Sequence, residues 1–154
     1  RRATFARSVR FSDVRYDGAI EFAGGELDGW LTLDDVTVSG PAHFPGLSFR
    51  TVQVHSTTFE GGVEFSGADG EAALFDGVRL DPAEATLDLS NATVGLVDVR
   101  PDSALTCRLQ GATVSEGRLD QPADVPQVVS EAIWMNLRCC GGRHGRISHT
   151  HVKI

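Results

Sequence analysis

The sequence has no long apolar run: in its 154 residues the longest apolar stretches are about four residues. A membrane-spanning helix needs about 20 apolar residues, and a secretory signal needs an apolar core of roughly 7–15. We therefore expect no membrane segment in this chain, and the cytoplasm is the default location. The chain begins with Arg1 rather than Met, and a repeating pattern is under way by Ala3. We expect it to be a piece of a longer protein that lacks its N-terminal part.

Cysteine is scarce as well. The three cysteines are Cys107, Cys139 and Cys140, and an odd count with one adjacent pair does not make a disulfide framework. Phosphate-binding and dinucleotide-binding loops are absent, because glycine pairs such as Gly24-Gly25 do not lie between a strand and a helix. The sequence therefore predicts no cofactor.

The sequence does contain a repeated triplet: a small or apolar residue, a polar residue, then a large apolar residue. Ile20-Glu21-Phe22 and Val63-Glu64-Phe65 are two copies. Alternation with a period of two is typical of a β-strand with one face inside and one outside. The third residues are the predicted core anchors: Phe5, Phe11, Tyr16, Phe22, Leu27, Leu33, Val38, Phe44, Phe49, Val54, Phe59, Phe65, Leu80, Leu89, Val94, Val99, Leu109, Val114 and Leu119.

The anchors recur every five or six residues, and a fixed short period is typical of a stacked array. The two residues between triplets often include Gly, Asp or Ser, which suit tight corners. Three-residue sides, four to a turn, would give a coil of roughly 20–22 residues, with coils stacked as parallel strands. Columns such as Phe5, Leu27 and Phe49 follow if every fourth anchor returns to the same side of the coil.

This pattern resembles the pentapeptide-repeat family over residues 3–119. The resemblance implies a right-handed, four-sided parallel β-helix whose anchors point inward. The six-residue steps, and the Arg, Thr and Glu at outward positions, depart from that family's usual pattern. The family includes nucleic-acid mimics and scaffolds, so the resemblance implies an architecture more than a function.

The repeat indicates three regions: a β-helix over 1–120, a linker and capping helix over 121–139, and a flexible basic tail over 140–154. The helix is predicted at about 125–138, where Val125, Val128, Val129, Ile133, Trp134 and Leu137 fall at helical spacing. Residues 66–70 are one degenerate side. Proline-containing loops are predicted to leave the coil at 81–86 and 100–106, and insertions in a solenoid often mark its binding face.

The only candidate metal ligands lie in or beside the tail. Thiols and imidazoles are the ligands that zinc prefers, but adjacent cysteines fit its usual spacing poorly. We therefore favour a flexible tail without a metal. The weak candidates are Cys139, Cys140, His144, His149 and His151.

No catalytic residue is predicted. His43 and His55 have no neighbouring nucleophile in the repeat, and no three carboxylates gather in one column. Cys107 occupies an inward position and is expected to be a small core residue.

The charge is uneven: residues 1–120 hold 19 acidic and 10 basic residues, and the whole chain has a formal net charge of −7. An acidic rod repels phosphate, so we expect no direct binding of nucleic acid. The leading hypothesis is a non-enzymatic scaffold or protein-interaction module. One alternative is a DNA mimic that binds a DNA-processing enzyme, which requires continuous acidic columns. Another is a carbohydrate-active enzyme, which requires three converging carboxylates. The partner and the oligomeric state do not follow from the sequence.

Overall fold

A computed structural model describes residues 4–5, 7–81, 85–103, 105–120, 133–134 and 137–139. These residues form an all-β parallel solenoid of about five turns, as the triplet repeat predicts. The strands in chain order are β1 (Thr4–Phe5), β2 (Val9–Ser12), β3 (Arg15–Tyr16), β4 (Ile20–Glu21), β5 (Glu26–Asp34), β6 (Thr37–Val38), β7 (Ala42–His43), β8 (Ser48–His55), β9 (Thr58–Phe59), β10 (Val63–Glu64), β11 (Asp69–Leu80), β12 (Thr86–Asp88), β13 (Thr93–Pro101), β14 (Thr106–Arg108), β15 (Thr113–Leu119), β16 (Ile133–Trp134) and β17 (Leu137–Cys139).

Four sides make each turn, and we name them A1, A2, B and C in chain order. Sides A1 and A2 are joined, because β5, β8, β11, β13 and β15 each run through both of them in one bent strand. Side B is formed by β3, β6, β9 and the end of β11. Side C is the separate five-stranded sheet β4-β7-β10-β12-β14. The predicted short strands therefore hold for side C and for β3, β6 and β9 of side B, with two or three residues each, whereas A1 and A2 merge.

The strand register shows the coil length directly. Leu27 pairs with Phe5 on one side and Phe49 on the other, so every fourth anchor returns to the same column, as the anchor spacing predicts. The coil then becomes slightly shorter, since Val54 pairs with Phe75. After one longer coil, the spacing settles at its shortest value, at which Thr93 pairs with Thr113.

The longer coil contains the loop that was predicted at 81–86. Val63 pairs with Leu87, a wider spacing than in the coils on either side, so the extra residues lie between β11 and β12. The second predicted loop, at 100–106, is wrong as an insertion. Arg100 and Pro101 belong to β13, and the spacing between the partners Leu87 and Cys107 equals that between Thr93 and Thr113. Pro101 fits at the strand end, where a missing N–H costs no ladder hydrogen bond.

Two corner columns adopt a left-handed backbone. Between sides A2 and B lie Asp13, Asp35, Ser56 and Gly77, with φ of 54°, 55°, 45° and 66°. Asp and Gly tolerate this conformation better than most residues, which explains the Asp and Gly that precede many triplets. Between sides C and A1 the equivalent column is Gly24, Gly46, Gly67, Asn91 and Gly111.

The predicted capping helix is wrong for the part of 125–138 that the structure describes. Ile133–Trp134 and Leu137–Cys139 are strands that pair with β15, at the same spacing as in the coil before them. The apolar spacing that suggested a helix also fits one more coil, because Val114 pairs with Trp134 and Leu119 with Cys139. The remainder of 125–138 lies outside the described residues.

Candidate functional site

The predicted anchors fill the centre of the rod. Phe44 lies between two other rings of side C, with its centroid 5.8 Å from that of Phe22 and 4.7 Å from that of Phe65, and the planes nearly parallel. Phe22 is partly buried against the core. The buried anchors are Leu27, Leu33, Val38, Phe44, Phe49, Val54, Phe59, Phe65, Leu80, Leu89, Val94, Val99, Leu109, Val114 and Leu119.

Two predicted anchors are not buried. Phe11 is 38% exposed and Tyr16 is 46% exposed, and Val14 between them is also exposed. Their strands β2 and β3 each pair with one later strand, and no described strand pairs with their other edge. These side chains line an apolar cavity of about 280 Å³ at this end of the rod. The side chain of Phe5 lies outside the described residues.

The outward positions carry mixed charges rather than acidic columns. On side C the sequence of outward residues is Glu21, His43, Glu64, Asp88 and Arg108, in register from coil to coil. Arg108 pairs with Asp88 at 3.3 Å. Side B has two threonines between two arginines in one column: Arg15, Thr37, Thr58 and Arg79. The surface therefore lacks the continuous carboxylate columns that DNA mimicry requires, over the residues that the structure describes.

Side C brings together a histidine, a carboxylate and a hydroxyl. The Nδ1 atom of His43 is 2.8 Å from Oε2 of Glu64, and the hydroxyl of Ser66 donates to the other oxygen of Glu64. The Ser66 hydrogen bond, followed by that of His43, lowers the pKa of Glu64. Nucleophilic catalysis needs the histidine between the hydroxyl and the carboxylate. Here the carboxylate is in the middle, so the group is a polar ladder between coils rather than a catalytic triad.

A shallow groove of about 190 Å³ on side A2 contains further titratable groups. His55 Nδ1 lies 3.4 Å from Asp76 Oδ2. The neighbouring Arg100 donates to both oxygens of Asp98, and this contact raises the pKa of Arg100. Asp98 is therefore paired with the guanidinium group of Arg100. The groove contains two carboxylates, Asp76 and Asp98, rather than three. The converging set that a carbohydrate-active enzyme requires is not present in this groove.

Of the residues predicted as a buried thiol or as metal ligands, Cys107 alone has a side chain that the structure describes. Cys107 is buried at an inward position, as expected, and its burial raises the thiol pKa to about 12. A thiol that stays protonated is a poor nucleophile and a poor metal ligand. The side chains of Cys139, Cys140, His144, His149 and His151 lie outside the described residues. Within the described part, no group of three or more His, Cys, Asp or Glu side chains could hold a metal ion.

Trp30 is not among the residues that the sequence pattern predicts to be functional. Its side chain is 50% exposed, more than any other large apolar side chain that the structure describes. Trp30 follows the Asp28-Gly29 corner between sides A1 and A2, where two residues face a single residue of the next coil. The six-residue step from Leu27 to Leu33 was the available signal, since it showed one residue too many in that stretch.

Comparison with protein-family models, with curated proteins and with solved structures found no match to this chain. The strand register and the repeat both indicate a parallel β-solenoid. None of the described residues forms a helix with the length and apolar character needed to cross a membrane.

Proposed function

We propose that this chain is a pentapeptide-repeat-like scaffold that works by binding another protein, without catalysing a reaction. One observation carries the proposal. The outward ionisable groups of the middle coils contact one another along the columns, whereas Trp30, on a strand paired on both sides, is the most exposed large apolar side chain that the structure describes. Exposed tryptophan is enriched at protein interaction sites relative to the rest of a protein surface.

The stack of coils supports this role physically. Each coil contacts only its neighbours, so the rod presents a long, regular surface whose positions are fixed relative to one another. The backbone of every middle coil is hydrogen-bonded on both sides, which leaves side chains rather than strand edges for recognition. A surface of this kind suits a binding module better than an enclosed reaction site, because a ligand-binding cleft usually surrounds most of its ligand.

The proposal is tested by photo-crosslinking in extract of the cells that make the protein. A crosslinking amino acid is placed at one outward position on each side: Ser48 on A1, Gln53 on A2, Thr58 on B and Glu21 on C. We expect one discrete partner band that arises from one or two adjacent sides. Crosslinking should disappear in Phe44→Asp, which places a charge in the buried ring stack.

Equal, diffuse crosslinking from all four sides would contradict a defined binding surface. So would a band of the same strength from the Phe44→Asp variant, since that band would not depend on the folded rod.

A further inference from the structure

Trp30 is displayed by a β-bulge. Leu27 pairs with Phe49 and Trp30 pairs with Thr51, so Asp28 and Gly29 together face the single residue Arg50. An extra residue of this kind bends a strand and redirects the side chains beside it, and bulges are frequent next to functional sites. Here the bulge lies directly before Trp30, the most exposed large apolar side chain in the described structure.

The neighbouring coil holds this bulge in place. A Cβ on Gly29 would lie 2.7 Å from the backbone nitrogen of Ser8, so only glycine permits this close approach. The backbone N–H of Trp30 donates to Ser8 Oγ at 3.2 Å. The indole is thus carried on a backbone fixed from two directions, although half of its surface faces water. A backbone that is already fixed loses less entropy on binding than a mobile one.

Charged side chains surround Trp30. Arg7, Asp28 and Arg50 border it in an open depression of about 520 Å³. Arg7 has no ion-pair partner within the described ranges, and Arg50 Nε is 3.7 Å from Glu71 Oε1, a long and exposed contact. By contrast, Arg10 contacts Asp34 at 2.8 Å. Two weakly paired guanidinium groups therefore flank the indole on a chain of net charge −7.

The same edge changes sign along the rod. The residue that pairs with Leu96 in the next coil is Glu116, and Glu71 stands between Arg50 and this position. Arginines beside Trp30 and glutamates farther along the same edge would orient an elongated partner on the rod, because complementary charges fix the register of an interface.

We propose that the Trp30 surface, formed by Arg7, Asp28, Trp30 and Arg50, binds an acidic segment of a partner protein. The inference rests on the proposed scaffold function and names its binding surface. Trp and Arg are the residue types that contribute most at protein interfaces. Partner carboxylates would pair with the two guanidinium groups, which match carboxylates in shape as well as charge. An apolar part of the segment would cover the indole.

The shape and the charge count decide against other occupants. The depression is open, whereas a small-molecule site encloses most of its ligand. Two arginines with one aspartate give little net positive charge, so a polyanion that made no contact with the indole would bind weakly. Nucleic acid, which is held mainly by many phosphate contacts, is disfavoured for that reason.

The experiment is a selection from a phage-displayed library of random twelve-residue peptides. The target is the full chain, and Trp30→Ala removes non-specific binders by counter-selection. We expect the recovered peptides to be enriched in Asp and Glu. Their affinities are then measured by fluorescence in a Trp134→Phe background, in which Trp30 is the only indole.

Matched variants assign the binding to the surface. Because Trp30 would be the central contact, Trp30→Ala should weaken a selected peptide by about tenfold or more. In that variant the peptide carries the reporter dye, and an unchanged melting temperature shows that the rod is folded. Arg50→Gln should weaken binding by about threefold or more. Arg79→Gln, an exposed arginine on side B, should leave the affinity unchanged.

Several results would overturn the assignment. The assignment fails if the selection gives no enrichment over the counter-selection, if it enriches basic or neutral peptides, or if Trp30→Ala leaves the affinities unchanged. Trp30-dependent binding of oligogalacturonate without any acidic peptide would instead reassign the surface to acidic sugars. If crosslinks arise only from Thr58 or Glu21, the scaffold function stands and the Trp30 surface is not its binding site.

Discussion

Tyr16 and Phe59 occupy the same place in the triplet and the same column on side B, in register through Val38. Yet Tyr16 is 46% exposed and Phe59 is fully buried. The difference lies in their strands: β9 has a partner on both sides, whereas β3 pairs only with β6 among the described strands. Phe11 and Phe75 repeat the contrast on side A2, with 38% and 1% exposure. The triplet thus sets the direction of a side chain, and the neighbouring coils determine its burial.

The test with the largest expected effect removes an aromatic ring from the buried stack. Phe44→Ala should lower the free energy of unfolding by about 3–5 kcal/mol, because it deletes a buried side chain between two others. Denaturant unfolding followed by circular dichroism measures the loss.

The matched variant is Phe11→Ala, which has the same place in the triplet but an exposed side chain. We expect a loss of about 1 kcal/mol or less, since exposed positions contribute little. Equal losses at positions 44 and 11 would contradict the link between burial and neighbouring coils.

A second test overfills the core at a position where the pattern has a gap. Gly70 stands in the anchor column between Phe49 and Val94. A Cβ there would lie 2.1 Å from the Phe49 ring, which occupies the missing side chain's space. Gly70→Ala should therefore cost about 1–3 kcal/mol.

The double variant Gly70→Ala with Phe49→Leu should be more stable than the sum of the two single changes predicts. Simple additivity in thermal or denaturant unfolding would show that the two positions do not share one space.

A third, smaller effect is expected at the corner columns. Gly46→Ala forces a Cβ into a left-handed backbone, with φ of 62°, and should cost about 1 kcal/mol. Asn91→Gly, in the same column with φ of 56°, should change the stability little. Thermal unfolding compares the two variants. A larger loss in Asn91→Gly than in Gly46→Ala would show that side-chain contacts, rather than backbone strain, decide these corners.

The smallest expected effect is a pH dependence on side C. The hydrogen bonds from Ser66 and His43 lower the pKa of Glu64 below its ordinary value of 4.5. The stabilisation is therefore complete above that value and is lost as the pH falls through the lowered pKa of the folded state. Because Glu64 is more than a third exposed, we expect less than about 1 kcal/mol.

Urea unfolding of the wild type and Glu64→Gln at pH 7, 5 and 3 measures this contribution. The difference between the two proteins should shrink as the solution becomes acidic. A difference that stays constant from pH 7 to pH 3 would exclude Glu64 as its source.

The sequence predicted the coil well because its signal is repeated. The five- and six-residue steps predicted the stacking of Leu27 between Phe5 and Phe49, and the inward direction of the later anchors. Features that occur once were missed. Residues 100–104 look like an inserted loop because Pro101 and Ala104 replace the usual large residues, although the coil there keeps its ordinary length.

The candidate site was less predictable than the fold. An extra residue between Leu27 and Leu33 is visible in the spacing, but the spacing does not show which side chain turns outward. That depends on the contact of Gly29 with the Ser8 backbone, which only the stacked coils create. The apolar residues at 125–138 were compatible with both a helix and another coil. Register with β15 resolves the question for Ile133–Trp134 and Leu137–Cys139.

The Phe49 ring fills the space that a side chain at Gly70 would need. These two neighbouring coils are therefore not interchangeable with the others. One coil carries a side chain too large for its own layer, and the next carries none at the matching position. A chain that grows or shrinks by whole repeats would have to move these two coils together. The coils after β12 share one constant spacing, and neither Gly95 nor Gly111 there makes room for a ring in this way. Changes in the length of this rod should therefore be accepted more easily beyond residue 87 than between residues 49 and 70.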